Sequence, residues 1–356
     1  MLTLLDRYIG IALLKASGIT LFVVLLLRAF FMYMDELRDV GKGVYSAWDA
    51  LLYVGLSMPN LVYEFFPMSV LLGALIGLGS LAANSELVVM RAAGVSTSRI
   101  VVSVMKTALL LMAVALFIGE VLSSQAKLAG QTIKNVAVSG GELLENSEEG
   151  IWSKDDQFII HMGRVFASGV VTDITLFELD ENLRLIRVIA AESGEYNYQS
   201  QNWLLSQYKE TRLSPEKTTV VGHEQFQWPT ELIAPEKLGR ISVGPSDLNI
   251  LELYSQMDYL ERNGLNSRTY QLSFWRKVFM PLSVGVMMFL ALSFIFGPLR
   301  SVTMGARVIS GVMVGFAFHV INQVFGSLAQ GLTPMLGALL PILLFSMIAM
   351  WLIRRT

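Results

Sequence analysis

The chain has 356 residues, 53% hydrophobic and only 16% charged, with a mean hydropathy of +0.54 and a formal net charge of −2. A soluble domain carries about 25% charged residues, so this composition argues against an ordinary cytosolic enzyme. The absence of cysteine excludes disulfide scaffolds, zinc ribbons, iron–sulfur clusters and thiol nucleophiles. His161, His223 and His319 show no metal-ligand spacing, and no P-loop, nucleophile elbow or dinucleotide fingerprint occurs. Any ATP this protein uses must therefore be bound by another chain.

The charge is unevenly spread. Between Leu122 and Phe274 lie 21 of the 29 acidic and 13 of the 27 basic residues, so an acidic insert is flanked by two apolar parts. A bilayer core of about 30 Å needs roughly 20 mostly apolar residues as a helix, and six stretches qualify. The first runs from about Tyr8 to Tyr33, interrupted by Lys15 and Arg28. It is too long and too interrupted for a cleaved signal segment, and is expected to be retained. The second, from about Leu51 to Leu81, contains Pro59, Glu64 and Pro67, and the carboxylate reads as marking a hydrated kink. The third covers Ile100 to Leu122, with Lys106 and Glu120 near its ends. After the insert come Val278–Phe296, Val308–Phe325 and Pro334–Ile353.

With the N-terminus in the cytoplasm, the short inner pieces carry Arg7, Arg91, Arg99, Arg300, Arg307, Arg354 and Arg355. The short outer ones carry Arg38 and Lys42. That asymmetry satisfies the positive-inside rule and sends the insert outside. The predicted divisions are residues 1–122 (three spans), 123–273 (the insert) and 274–356 (three spans).

Within the insert, Thr172–Leu179, Leu183–Ala190, Gly194–Tyr198, Trp203–Leu213 and Lys217–Trp228 read as strands, with turns at Asp180–Asn182 and Gln199–Asn202. Short strands at close spacing suggest an all-β sandwich or jellyroll. Leu248, Leu251, Tyr254, Met257 and Leu260 predict one amphipathic helix over Asp247–Asn263, leading into the fourth span.

The inner loop Asn84–Gly94 predicts a helix of about nine residues. Ser85 is positioned to cap it, Glu86 favours its positive end, and Gly94 offers a left-handed stop. Too short to span, it exposes Leu87, Val88, Val89 and Met90. Local features fit either an interfacial helix or one that docks into a cytoplasmic partner. Charges at membrane depth face cavities or snorkel; Lys15, Lys106 and Glu120 are expected to snorkel. Arg28, Asp35, Arg38 and Lys42 form either a ladder for an anionic headgroup or ordinary flanking charge. Lys127 and Lys134, on one helical face if the third helix continues, could join that rim, as could Arg276 and Lys277. The repeats Gly73–Gly77 and Gly311–Gly315 are small-xxx-small packing motifs.

Three stretches carry a resemblance that covers essentially the whole chain. They are Leu5-Asp-Arg-Tyr-Ile-Gly10, the run from Phe65-Phe-Pro-Met-Ser-Val70 to Ser85-Glu-Leu-Val-Val-Met90, and Phe296-Gly-Pro-Leu-Arg300. With a β-rich insert between the last two, the sequence resembles the LptF/LptG permease family of the lipopolysaccharide exporter. The resemblance implies an α-helical membrane protein of six transmembrane helices with an inserted periplasmic β-jellyroll, a multi-pass protein of the Gram-negative inner membrane. It implies a non-catalytic permease paired with a second, LptF-type permease. An LptB-type ATPase dimer, holding ATP and Mg, would grip Ser85, Glu86, Leu87, Met90, Arg91 and Gly94. Lipopolysaccharide would enter from the side, its phosphates on the basic rim, and pass to LptC-type and LptA-type partners. One departure from the family is Met32, where relatives carry a lysine; Arg28 lies one turn earlier. The alternative reading is a membrane sensor or mechanotransmission protein.

Overall fold

The computed structural model describes residues 3–138, 143–145, 150–155, 157–166, 170–180, 182, 184–197, 202–214, 217–229, 244–297, 302–328, 331 and 333–354. Among these, six helices are long and apolar enough to cross a membrane. Helix α1 (Leu4–Glu36) opens on a capping box in which the Thr3 hydroxyl accepts from the Asp6 amide and the Asp6 carboxylate from the Thr3 amide. Helix α2 (Ala47–Ala83) opens on the same device, made by Ser46 and Asp49, and carries Pro59 and Pro67 inside its 37 residues. Neighbouring spans make such prolines tolerable in a membrane helix. The short α3 (Glu86–Ala92) follows.

Helix α4 (Thr97–Phe117) passes through a π-helical turn, Ile118–Ser123, into α5 (Ser124–Val138), so the third span's helix runs on well past Leu122. The π turn sits where Gly119 meets Tyr63: a Cβ on that glycine would lie 2.2 Å from the ring. Helix α6 (Ile250–Arg262) leads to α7 (Arg268–Phe296), α8 (Met304–Leu328) and α9 (Pro334–Arg354).

Helices α2 and α7 form the centre of the bundle, while α1 and α8 leave most of their apolar surface uncovered. The core joins Leu71, Leu75 and Leu78 to Met287, Met288 and Ala291, with Val104 and Ala108 of α4 against them. The small-xxx-small motifs work as packing surfaces. A Cβ at Gly73 would lie 2.3 Å from the Ser17 Cα, and one at Gly311 would lie 2.7 Å from the Leu72 and Leu75 side chains.

Seven antiparallel strands are described in the insert. They are β1 (Leu143–Glu145), β2 (Ile151–Asp155), β3 (Phe158–Phe166), β4 (Val170–Leu179), β5 (Leu185–Asn197), β6 (Asn202–Leu213) and β7 (Thr218–Pro229). β3 to β7 pair consecutively, and β1 and β2 both pair with β3. Burial alternates along the strands, and one face carries Ile160, Ile174, Leu176, Ile189, Trp203 and Leu205 as a core. In a flat sheet β3 and β7 would stand about 19 Å apart, at about 4.8 Å per strand. The rings of Phe158 and Trp228 are nevertheless 6.4 Å apart. The sheet therefore curls around its apolar face into a trough.

Two expectations are corrected here. The strands expected at Leu183–Ala190 and Gly194–Tyr198 form a single strand, β5. Gly194 stays within it because a Cβ there would meet Ile174 at 2.5 Å and Leu205 at 2.8 Å. β1 to β3 were not foreseen. Residues 198–201, from the expected turn, and Pro298–Arg300 lie outside the described residues. Leu248, just before α6, and Leu253 within it are the buried pair, packed against Leu128, Tyr270 and Phe274. Leu251 and Tyr254, expected on the apolar stripe, are 80% and 64% exposed. The anchoring of the α6 N-terminus explains the rotation: the Ile250 amide donates to the Glu120 carboxylate at 2.8 Å.

Candidate functional site

At the insert end of the bundle the helices converge on a buried polar junction. The Lys277 ammonium, only 5% exposed, lies 3.8 Å from Glu120 Oε1 and 5.2 Å from the centre of the Tyr63 ring. Asn60 of α2 accepts from the Ser123 hydroxyl at 3.0 Å and donates to Asp247 at 3.2 Å. The Ser124 hydroxyl donates to Glu252 at 2.8 Å. Burial pushes the Asp247 carboxyl above the usual range, opposed by Lys127 and Lys277. The chain leaving the β insert is thus tied to α2, the π turn and α7 at once. Glu120, expected to snorkel, instead faces a buried lysine and holds a helix terminus.

The remaining candidate cations fall into separate groups. Lys134 lies 2.7 Å from Glu36 and 2.9 Å from Asp39, and Lys42 lies 2.7 Å from Asp39. Lys42 first, then Lys134, holds the Asp39 carboxyl down at about 2. Lys127 and Lys134 share a helical face, both over the Tyr53 ring at 5.4 and 5.3 Å. Arg38 meets Asp35 at 3.7 Å with both side chains exposed, a contact of little energetic weight. These pairings make the top of α1 a mixed-charge cluster rather than a row of cations. Arg28 stands apart, half-buried on α1, with no ion pair among the described residues. Arg276 donates through Nη2 to the Asn322 carbonyl at 2.6 Å. It lines, with Glu64 and His319, a recess of about 660 Å³ between α2, α7, α8 and α9.

The opposite end carries α3. It has seven residues, not nine, and Ser85 does not cap it: its backbone is left-handed, φ +61°, with no side-chain cap bond. The turn from α2 needs that backbone, which swings the hydroxyl away from the first-turn amides. Gly94 does take the left-handed stop, at φ +87°. Leu87 is buried and Met90 half-buried against the bundle, while Val88, Val89 and Arg91 face outward.

Glu86 accepts from the Tyr8 hydroxyl at 2.7 Å, linking α3 to α1. Two residues before Tyr8, the buried Asp6 carboxylate binds Lys106 at 2.7 Å and Arg99 at 3.4 Å, with the Ser103 hydroxyl donating at 2.5 Å. Lys106 is therefore bound to a partner, not snorkelling. Asp6 was not singled out from sequence, although a carboxylate in the first turn of an apolar helix was the available signal. No group of His, Asp and Glu placed to hold a metal occurs among the described residues.

A six-span bundle, a curled β insert between the third and fourth spans, and a short helix on the loop after the second define a multi-span membrane protein with an inserted β domain. The family described as lipopolysaccharide export system permease LptF/LptG matches residues 7–355, and the chain belongs to it. Its relatives include the lipopolysaccharide export system permease protein LptG of Haemophilus influenzae, 40% identical over all of this chain and 99% of the relative. The protein of the same name from Escherichia coli K12 is 41% identical over 99% of this chain and 98% of its own length. Both relatives are named as permease proteins of a lipopolysaccharide export system.

Proposed function

We propose that this chain is the permease subunit of an ABC-type exporter that extracts lipopolysaccharide from the outer leaflet of the inner membrane and delivers it to a periplasmic bridge. ATP and Mg are held by a partner ATPase dimer, so this chain performs no hydrolysis. The termini and α3 lie in the cytoplasm and the β insert in the periplasm, a reading supported by the distribution of arginines between short loops. An LptF-type permease, an LptC-type single-span protein and an LptA-type bridge complete the assembly.

The observation that carries this reading is α3 with its two attachments. Val88 and Val89 are 59% and 64% exposed beside Arg91, a surface suited to a protein groove. Glu86 ties the same helix to α1 through Tyr8. Force applied at α3 therefore reaches α1, whose Phe22, Leu26 and Phe30 are all more than half exposed. These, with Ile309 and Met313 on α8, supply apolar walls for a lipid chamber shared with a second permease. Lifting acyl chains out of a bilayer costs about 0.8 kcal/mol per exposed methylene. In this reading ATP on another subunit supplies the work.

The test is reconstitution of the full chain with its partners in proteoliposomes. Lipopolysaccharide release should require ATP and vanish with an ATPase-dead partner. Release that persists without ATP and follows a proton gradient would overturn the reading. Arg91→Glu should weaken copurification of the ATPase while leaving membrane insertion intact, and Arg28→Glu with Arg38→Glu should reduce crosslinking to lipopolysaccharide.

A further inference from the structure

The recess between α2, α7, α8 and α9 is built inside one chain and has two levels. Glu64 lies 19 residues from the far end of α2 at Ala83, Lys277 lies 19 from the far end of α7 at Phe296, and Asn322 lies 18 from the far end of α8 at Met304. At 1.5 Å per residue these are heights of about 27–28 Å, which places all three near one face of a 30 Å hydrocarbon core. Arg276, His319 and Gln323 belong to this upper level, with His319 and Gln323 in contact at 3.0 Å. About one turn or more deeper the lining changes to Met68, Met280, Phe316 and Ile342. A polar ring at headgroup height above an apolar floor is the profile of an amphiphile.

The charges specify which amphiphile. Lys277 is already paired with Glu120. Arg276 has no carboxylate partner among the described residues, its single hydrogen bond going to a backbone carbonyl, and its Nε is buried without a hydrogen-bond partner. Glu64 likewise has no cationic partner among them. A guanidinium and a carboxylate at membrane depth, each without a counter-ion, face either water or a ligand that carries both complements. We propose that the recess binds one phospholipid with a zwitterionic, amine-bearing headgroup, drawn from the leaflet on the insert side. Its phosphate meets Arg276, its ammonium meets Glu64, and an acyl chain runs down onto Met280 and Phe316.

At about 660 Å³ the recess takes the headgroup and part of one acyl chain, the rest of the lipid staying in the bilayer, and it is small for a cargo with several acyl chains. A purely anionic headgroup would meet Glu64 unfavourably. The site needs neither ATP nor partner subunits, so its failure leaves the export reading untouched.

The experiment uses the full chain in nanodiscs of phosphatidylethanolamine and phosphatidylglycerol, with diazirine-bearing acyl chains on one lipid or the other. The phosphatidylethanolamine probe should label the peptide containing Met280 about tenfold more than the phosphatidylglycerol probe (about 1.4 kcal/mol). Glu64→Gln, at an exposed position, should bring that ratio to about one without lowering total labelling; Arg276→Gln should lower labelling by both probes. Equal labelling by the two probes in the wild type, or a ratio unchanged in Glu64→Gln, would overturn the proposal. Labelling of the same peptide by a diazirine-bearing lipopolysaccharide in place of phospholipid would also overturn it and assign the recess to the cargo.

Discussion

Consider removing the charge from one side of the Glu120–Lys277 pair. Lys277 is 5% exposed, so its ammonium has little water to fall back on when Glu120 is changed. In Glu120→Gln the amide oxygen can still accept from Ile250, leaving the loss mainly electrostatic. The Tyr63 ring at 5.2 Å, worth about 0.5–2 kcal/mol, remains, together with the more distant carboxylates of Asp247 and Glu252. In Lys277→Met the Glu120 carboxylate keeps the Ile250 amide at 2.8 Å, but Oε1, which has no hydrogen-bond partner, loses its only cation. Breaking a buried pair from one side costs about 3–5 kcal/mol, whereas replacing both partners by uncharged groups is often neutral. The incomplete 3.8 Å contact puts each single change near the low end, about 3 kcal/mol. The double variant should lose only about 1–2 kcal/mol, a coupling of about 4–5 kcal/mol, above the 0.5–3 kcal/mol usual for contacting residues. Equilibrium unfolding in mixed detergent micelles, run on all four proteins of the cycle, measures it. Additivity within about 0.5 kcal/mol would refute the reasoning and make Lys277 a solvated residue.

The α1–α2 contact gives a graded series. Gly73→Ala forces a Cβ onto Ser17 backbone at 2.3 Å and should cost about 1–3 kcal/mol, Gly77→Ala, 3.2 Å from the Ala12 carbonyl, less, and Gly18→Ala, with open space, nothing measurable; micellar unfolding should rank them in that order. In the insert, Trp203→Ala removes the largest fully buried side chain and should cost about 3–5 kcal/mol, read as lost protection from proteolysis of the β segment with the spans intact. Asp39 titrates at about 2 in the folded protein against 3.8 when unperturbed. Its pairing with Lys42 and Lys134 therefore stabilises fully above pH 4 and is lost as pH falls toward 2. Screening limits this to about 1 kcal/mol, and Asp39→Asn should remove that part of the acid dependence in a pH titration of unfolding.

The spans were legible because lipid demands one property, a run of about 20 apolar residues, and that property is local. The left-handed stop at Gly94 was equally local; the capping boxes of α1 and α2, Thr3 with Asp6 and Ser46 with Asp49, are local as well but were not foreseen. The β insert was half legible. Alternation identified β4, β6 and β7, but the break expected near Ala191–Ser193 was overridden by packing of Gly194 against Ile174 and Leu205. The candidate rim fared differently. Charge type and helical phase named Lys127, Lys134, Arg276 and Lys277 correctly as cations at the insert end. Which of them keep an uncompensated charge depends on acids remote along the chain, as with Glu120 for Lys277 and Glu36 for Lys134.

The low charge content with which the chain presents itself was thus enough to specify the membrane, the number of crossings and the acidic insert between them. Burial of apolar surface and satisfaction of backbone polar groups act residue by residue, so composition and spacing report them directly. Only the tertiary structure decided which ionisable groups are paired, that the sheet curls until Phe158 reaches Trp228, and that Arg276 and Glu64 share one recess. Electrostatic pairing and close packing depend on distances between residues remote in sequence, and no local pattern encodes those distances.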